Sequence, residues 1–141
     1  ETAYYTNFSG SSGRGSQPMV VSYNSSPAAE VLFASQPLED APTSAITAAG
    51  ACFRQVEFAG ILRGTPQRSL AEKWLDAMLN LPFQEDIPLQ MFVYPVNPEA
   101  KLPEAFTKYS PVVKDPARLN PQAISVNRDR WITAWEGVML K

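Results

Sequence analysis

Thirteen prolines in 141 residues limit how much regular structure this chain can hold, because each removes a backbone donor and fixes φ. They are unevenly spread. Pro98, Pro103, Pro111, Pro116 and Pro121 crowd residues 97–121, so that stretch is expected to wrap irregularly over the surface. Pro27 and Pro121 follow polar residues suited to capping, and there proline favours the first helical turn. Helices are therefore expected over residues 28–34 and from Asn120-Pro121 to about Leu140, the latter with Ile124, Trp131, Trp135 and Val138 near one face. Another helix opens at Ser69-Leu-Ala-Glu72, a match to the capping box. It continues through Leu70, Trp74, Ala77, Met78 and Leu81, and Pro82 and Pro88 are expected to stop it. Trp74, Trp131 and Trp135 all lie at helical spacing among apolar residues and are expected in the core.

Between these helices the pattern changes. Residues 1–8 read as helix, and residues 8–17, rich in Gly and Ser, read as a loop. A phosphate cradle needs a Walker-type Lys at fixed spacing, which this loop lacks. Residues 18–23 are apolar and β-branched, as in a buried strand, and lead through Asn24-Ser-Ser26 into the helix at 28–34. In α/β proteins a turn of this kind commonly holds ligands. Residues 51–63, with Phe53, Val56, Phe58, Ile61 and Leu62, read as a long strand or extended crossing segment, and residues 91–95 as a short extended piece. No internal repeat is visible, and the expected class is α/β.

Composition narrows the function. A 45% hydrophobic content supports one globular unit and no disordered tail. The net charge of −2 and the scattered Lys and Arg residues disfavour nucleic acid as a partner. There is no histidine and one cysteine, Cys52, which excludes an intrachain disulfide, a Cys/His zinc site and a His-dependent catalytic triad. No catalytic residue, cofactor or metal is expected, and no enzyme. Glu39-Asp40 and Glu85-Asp86 are adjacent pairs that do not face one another and are expected to be solvated. No run is long and apolar enough to span a membrane. The chain opens at Glu1 inside an expected element, which reads as a piece of a longer polypeptide.

A collinear series extends over nearly the whole chain: Val20-Val-Ser-Tyr-Asn-Ser-Ser-Pro-Ala28, Gln55-Val-Glu57, Ala71-Glu-Lys-Trp-Leu-Asp-Ala-Met78, Ile87-Pro88, Tyr94-Pro-Val96, Leu102-Pro-Glu-Ala-Phe106 and Arg130-Trp-Ile-Thr-Ala-Trp135. In this order the series resembles the thiamine-binding periplasmic proteins. The resemblance implies a type II periplasmic binding fold, with residues 1–141 forming the second α/β lobe and a C-terminal helical region, the first lobe being absent. It further implies an extracytoplasmic solute-binding component of an ABC importer that is peripheral to the membrane. Its partners would be the permease subunits, and its ligand thiamine, a phosphate ester of it, or a related small cationic or heteroaromatic solute.

Phe92 is similar in placement to a family tryptophan that stacks on the ligand, and Tyr23 to a family tyrosine at the cleft. Ser25 and Ser26, in the turn that follows, are either polar anchors for the ligand or helix caps. Ala29 stands where the family carries another aromatic wall. Tyr4-Tyr5 is similar to the paired tyrosines of ferric-iron-binding relatives, so an iron or other small-solute binder of the same fold is an alternative. A sensor ectodomain and an enzyme of the same lobe architecture are the others.

Overall fold

The computed structural model describes residues 3–12 and 15–140. Among these residues Ala3–Asn7 form a π-helical turn, followed by six helices: α1 (Ser9–Ser12), α2 (Ser26–Leu32), α3 (Arg68–Leu79), α4 (Leu81–Met91), α5 (Glu104–Tyr109) and α6 (Pro121–Met139). Residues 1–8, expected to be helical, thus do wind as helix over part of their length. Residues 8–17, expected as a loop, carry the short helix α1, and their ends are tied where Ser9 N–H donates to the Gln17 carbonyl and Gln17 N–H to the Asn7 carbonyl, each at 2.9 Å. Gly15 is required there, because a Cβ at that position would run into the Asn7 carbonyl.

No sheet forms among the described residues, and isolated parallel bridges at Phe8–Gln17 and Phe53–Ala117 are the extent of strand pairing. This overturns the expected α/β class and with it the type II periplasmic-binding lobe: the described architecture is helical. Residues 18–23, expected as a strand, and 51–63, expected as a long strand or extended crossing segment, form no ladder and, apart from the bridge at Phe53, hold no regular secondary structure. Val21 is 101% and Phe58 91% exposed. A β-branched apolar run fits a sheet, but it becomes a strand only where neighbouring chain accepts and donates its backbone hydrogen bonds, and a lone pairing is too weak to persist as a sheet.

Further corrections concern helix ends. The capping box at Ser69 is not used. Helix α3 begins one residue earlier, at Arg68, its N-cap is Gln67 without a side-chain bond, and Glu72 instead pairs with Arg68 at 2.8 Å, four residues away on the same face. Pro82 does not stop the chain's helicity. Asn80 breaks it with an extended backbone (ψ 158°), and Pro82 then lies in the first turn of α4, where Asn80 accepts from Phe83 N–H at 3.0 Å. Pro88 is inside α4. It removes one donor, yet the turn is held from outside: buried Gln84 donates to the Met78 carbonyl at 2.7 Å and accepts from Val96 N–H at 2.7 Å and Asn97 N–H at 3.2 Å. Residues 91–95 are consequently not one extended piece, since Met91 still belongs to α4. The irregular stretch 97–121 carries α5. The last helix agrees with expectation: Asn120 caps α6, accepting from Gln122 N–H at 2.8 Å.

The core is small. Helix α2 packs on α5 and α3 on α4, with Ala28, Pro88 and Phe106 fully buried. Trp74, Trp131 and Trp135, expected in the core, are exposed at 64%, 38% and 58%. Beside Trp74 a groove of about 580 Å³ opens between residues 59–67 and α3, lined also by Ile61, Leu70 and Met78. The chain exposes 11342 Å², where a compact chain of 15.5 kDa exposes roughly 7,200 Å². Large apolar side chains stand exposed on residues 53–62, α3 and α6, including helix faces that are normally buried.

Candidate functional site

The turn before α2 is held by a polar network. Tyr94 donates to the Ser110 carbonyl at 2.6 Å, and Ser110 Oγ, also 2.6 Å from the Tyr94 hydroxyl, donates to the Asn24 carbonyl at 3.1 Å. Asn24 Nδ2 donates to the Pro111 carbonyl at 2.9 Å and to the Tyr94 hydroxyl at 3.2 Å. These atoms come from three segments distant in sequence, at Asn24, Tyr94 and Ser110-Pro111, so the knot clamps the start of α2 to the end of α5. The Tyr94 ring is then set edge-on against Phe106, centroids 5.8 Å apart, and buries that ring against the helix pair.

Around this knot the structure places Tyr23, Ser25 and Ser26 together. Ser25 is the N-cap of α2 but makes no side-chain capping bond, and it is only 4% exposed. The capping interpretation therefore rests on its backbone alone, its carbonyl accepting from Ala29 N–H at 3.0 Å. Ser26 Oγ lies 2.8 Å from Ser22 Oγ and also bonds the Tyr4 hydroxyl. Tyr23 projects into solvent.

Phe92 stands apart from these three. It follows the last residue of α4 with φ 57° and ψ 27°, the single non-glycine positive φ among the described residues. This left-handed position at a helix end is ordinarily glycine or asparagine, and a bulky residue there carries about 1–3 kcal/mol of strain. Its ring meets Phe33 edge-on, centroids 5.1 Å apart. Phe33 caps the C-terminal end of α2, so Phe92 and Ser25 mark opposite ends of a helix about 10 Å long. The expected set is thus divided between the two ends of α2. Phe33, which sequence reasoning passed over, forms the aromatic surface together with Phe92; its place directly after a helix and beside small residues was the available signal.

Tyr4 donates to Glu30, and burial, followed by that carboxylate, pushes its hydroxyl well above the ordinary tyrosine range. Such surroundings hold the phenol protonated and oppose the phenolate that an iron ligand must supply. Among the described residues no cluster of three or more His, Cys, Asp and Glu side chains is grouped to hold a metal. The acidic pairs are less free than expected. Glu85 accepts from Lys101 N–H at 3.1 Å. Asp40 accepts from Ala41 N–H at 3.0 Å and faces Lys108 at 3.8 Å. Its carboxyl is held below the usual range by a hydrogen bond from Tyr109 first, then by the Ala41 N–H and the Lys108 charge.

The chain is similar to two curated relatives, the thiamine-binding periplasmic proteins of Salmonella typhimurium strain LT2 and of Escherichia coli strain K12. Each is 30% identical over 123 residues, which is 87% of this chain. The chain spans 36% of the length of either relative. No family model and no solved structure matches it. No helix among the described residues is long and apolar enough to cross a membrane.

Proposed function

We propose that this chain is part of an extracytoplasmic solute-binding protein serving an ABC importer, and that its solute is thiamine, a thiamine phosphate ester or a related small cationic heteroaromatic compound. The observation that carries this is the 30% identity over 123 residues to relatives whose names state periplasmic thiamine binding. The chemistry is capture and release to the permease, not turnover.

Phe92 is the proposed stacking residue. It is 39% exposed and braced by Phe33, so ring surface is open to a flat cation. A thiazolium over such a ring gains about 0.5–2 kcal/mol. Strained backbone of this kind clusters at ligand clamps, where the surroundings over-determine it. Tyr23, Ser25 and Ser26 lie at the other end of α2 and supply polar contacts to a more distant portion of the solute. Because the match covers 36% of the length of either relative, the chain contributes one part of the site.

Calorimetric titration of the complete natural protein with thiamine and its phosphate esters tests this. Binding by the wild type that weakens about 2- to 30-fold in Phe92→Ala, the range a lost cation-π contact gives, is the expected outcome. An absence of heat with the wild type removes thiamine as solute. Unchanged affinity in the variant removes the stacking role.

A further inference from the structure

We propose that a hollow between residues 53–54 and 114–119 is a binding site for an organic phosphate. Arg54, Lys114 and Arg118 are far apart in sequence or on opposite sides of a proline, and nothing in their spacing groups them. The backbone does. Ala117 N–H donates to the Cys52 carbonyl at 2.7 Å, Gly50 N–H donates to the Asp115 carbonyl at 2.9 Å, and Phe53 bridges in parallel with Ala117. Gly50 has φ 72°, a turn that glycine adopts without strain. The two segments border an open hollow of about 420 Å³ whose lining includes Phe53, Arg54, Lys114, Arg118 and Leu119.

The charge of this hollow is unbalanced. The chain as a whole is at −2, yet the hollow is lined by three cations and no carboxylate. Among the described residues the ion pairs are Arg68–Glu72, Lys108–Asp40 and Arg128–Asp129, so none of the three lining cations is paired. Arg54 has a long bond of 3.5 Å to the Val113 carbonyl. Asp115, the nearest carboxylate in sequence, is outside the lining. Three like charges around one concavity repel, and an anion there relieves the repulsion. A single arginine suffices for a carboxylate, whereas a phosphate monoester carries about −1.5 to −2 charge and three acceptor oxygens, which match two guanidinium forks and an ammonium. Phe53 and Leu119, both more than half exposed in the same hollow, offer apolar surface to the group the phosphate is attached to.

Phenyl phosphate is the probe, titrated into the complete protein at 0.15 M salt beside inorganic phosphate and phenol, with phosphatidylglycerol and phosphatidylcholine vesicles as the lipid arm. The expected result is binding of phenyl phosphate several-fold tighter than inorganic phosphate, no binding of phenol, and affinity falling as salt rises. Arg54→Gln combined with Arg118→Gln is expected to weaken it at least tenfold while circular dichroism and thiamine affinity stay unchanged, which separates this site from the proposed solute site. Arginine-dependent capture by phosphatidylglycerol vesicles instead of phenyl phosphate supports the same phosphate chemistry with a lipid headgroup as its source. Binding to neither source, or binding that survives the double substitution, overturns the proposal.

Discussion

Helices α5 and α6 invert the usual relation between length and burial. The six residues of α5 include Phe106, fully buried, while the nineteen of α6 include no buried residue. Neither helix-forming tendency nor length accounts for this. A six-residue helix is too short to persist alone in water and exists because tertiary contacts hold it: the Tyr94 ring, the Ser110 knot and α2. Helix α6 is long enough to be held by local bonds, namely its Asn120 cap and side-chain bonds such as Asn127 Nδ2 to the Ala123 carbonyl at 2.9 Å. One helix is specified from outside, the other from within.

The sharpest way to break this contrast is to truncate one aromatic side chain on each helix. Phe106→Ala is expected to cost about 3–5 kcal/mol, the usual range for a buried phenylalanine, whereas Trp135→Ala is expected to stay within about 0.5 kcal/mol as a surface change. Urea denaturation followed by circular dichroism measures both. Similar costs at the two positions would mean that α6 is packed in solution against something that shields Trp135. A smaller effect is expected from the local side of the comparison. Asn120→Ala should lower stability by about 1 kcal/mol through the lost cap, with amide exchange faster in the first turn of α6 and unaltered in α5.

The smallest effect concerns the link from Asp40 to α5. Because Tyr109, Ala41 N–H and Lys108 favour the ionised carboxylate, its folded pKa lies below the unfolded one. That contribution is present above about pH 3.9 and is lost as pH falls through the depressed folded value. Thermal melts of the wild type and Asp40→Asn should therefore converge on the acid side and separate above it. Parallel curves at every pH would show that the exposed carboxylate contributes nothing.

Much of the helical content was legible. Residues 69–81 and 121–140 were expected as helices and are observed at Arg68–Leu79 and Pro121–Met139, since apolar spacing and capping residues act within a few turns. The positions of Pro82 and Pro88 misled, because a proline forbids a helix only where its missing donor goes uncompensated, and Gln84 anchors that turn from a side chain. The apolar runs at 18–23 and 51–63 misled for a different reason: a β-branched run reports that burial would be favourable, not that a partner strand is present. Of the candidate site, Tyr23 was expected at a strand end and Ser25 and Ser26 in the turn after it; no strand forms there, Ser25 lies in the turn and Ser26 opens α2, while their separation from Phe92 and the pairing of Phe92 with Phe33 depend on how the return from α4 passes along α2.

What the amino-acid sequence determined by itself is therefore short-range: roughly where the longer helices run, which faces are apolar, and that residues 1–141 hold no histidine and no intrachain disulfide. Only the tertiary structure decided which of those apolar faces are covered, that Tyr94 and Ser110 meet Asn24, and that Arg54, Lys114 and Arg118 border one hollow. The physical reason is that local preferences follow from neighbouring residues along the chain, while burial and charge pairing depend on groups that only the folded path brings within reach.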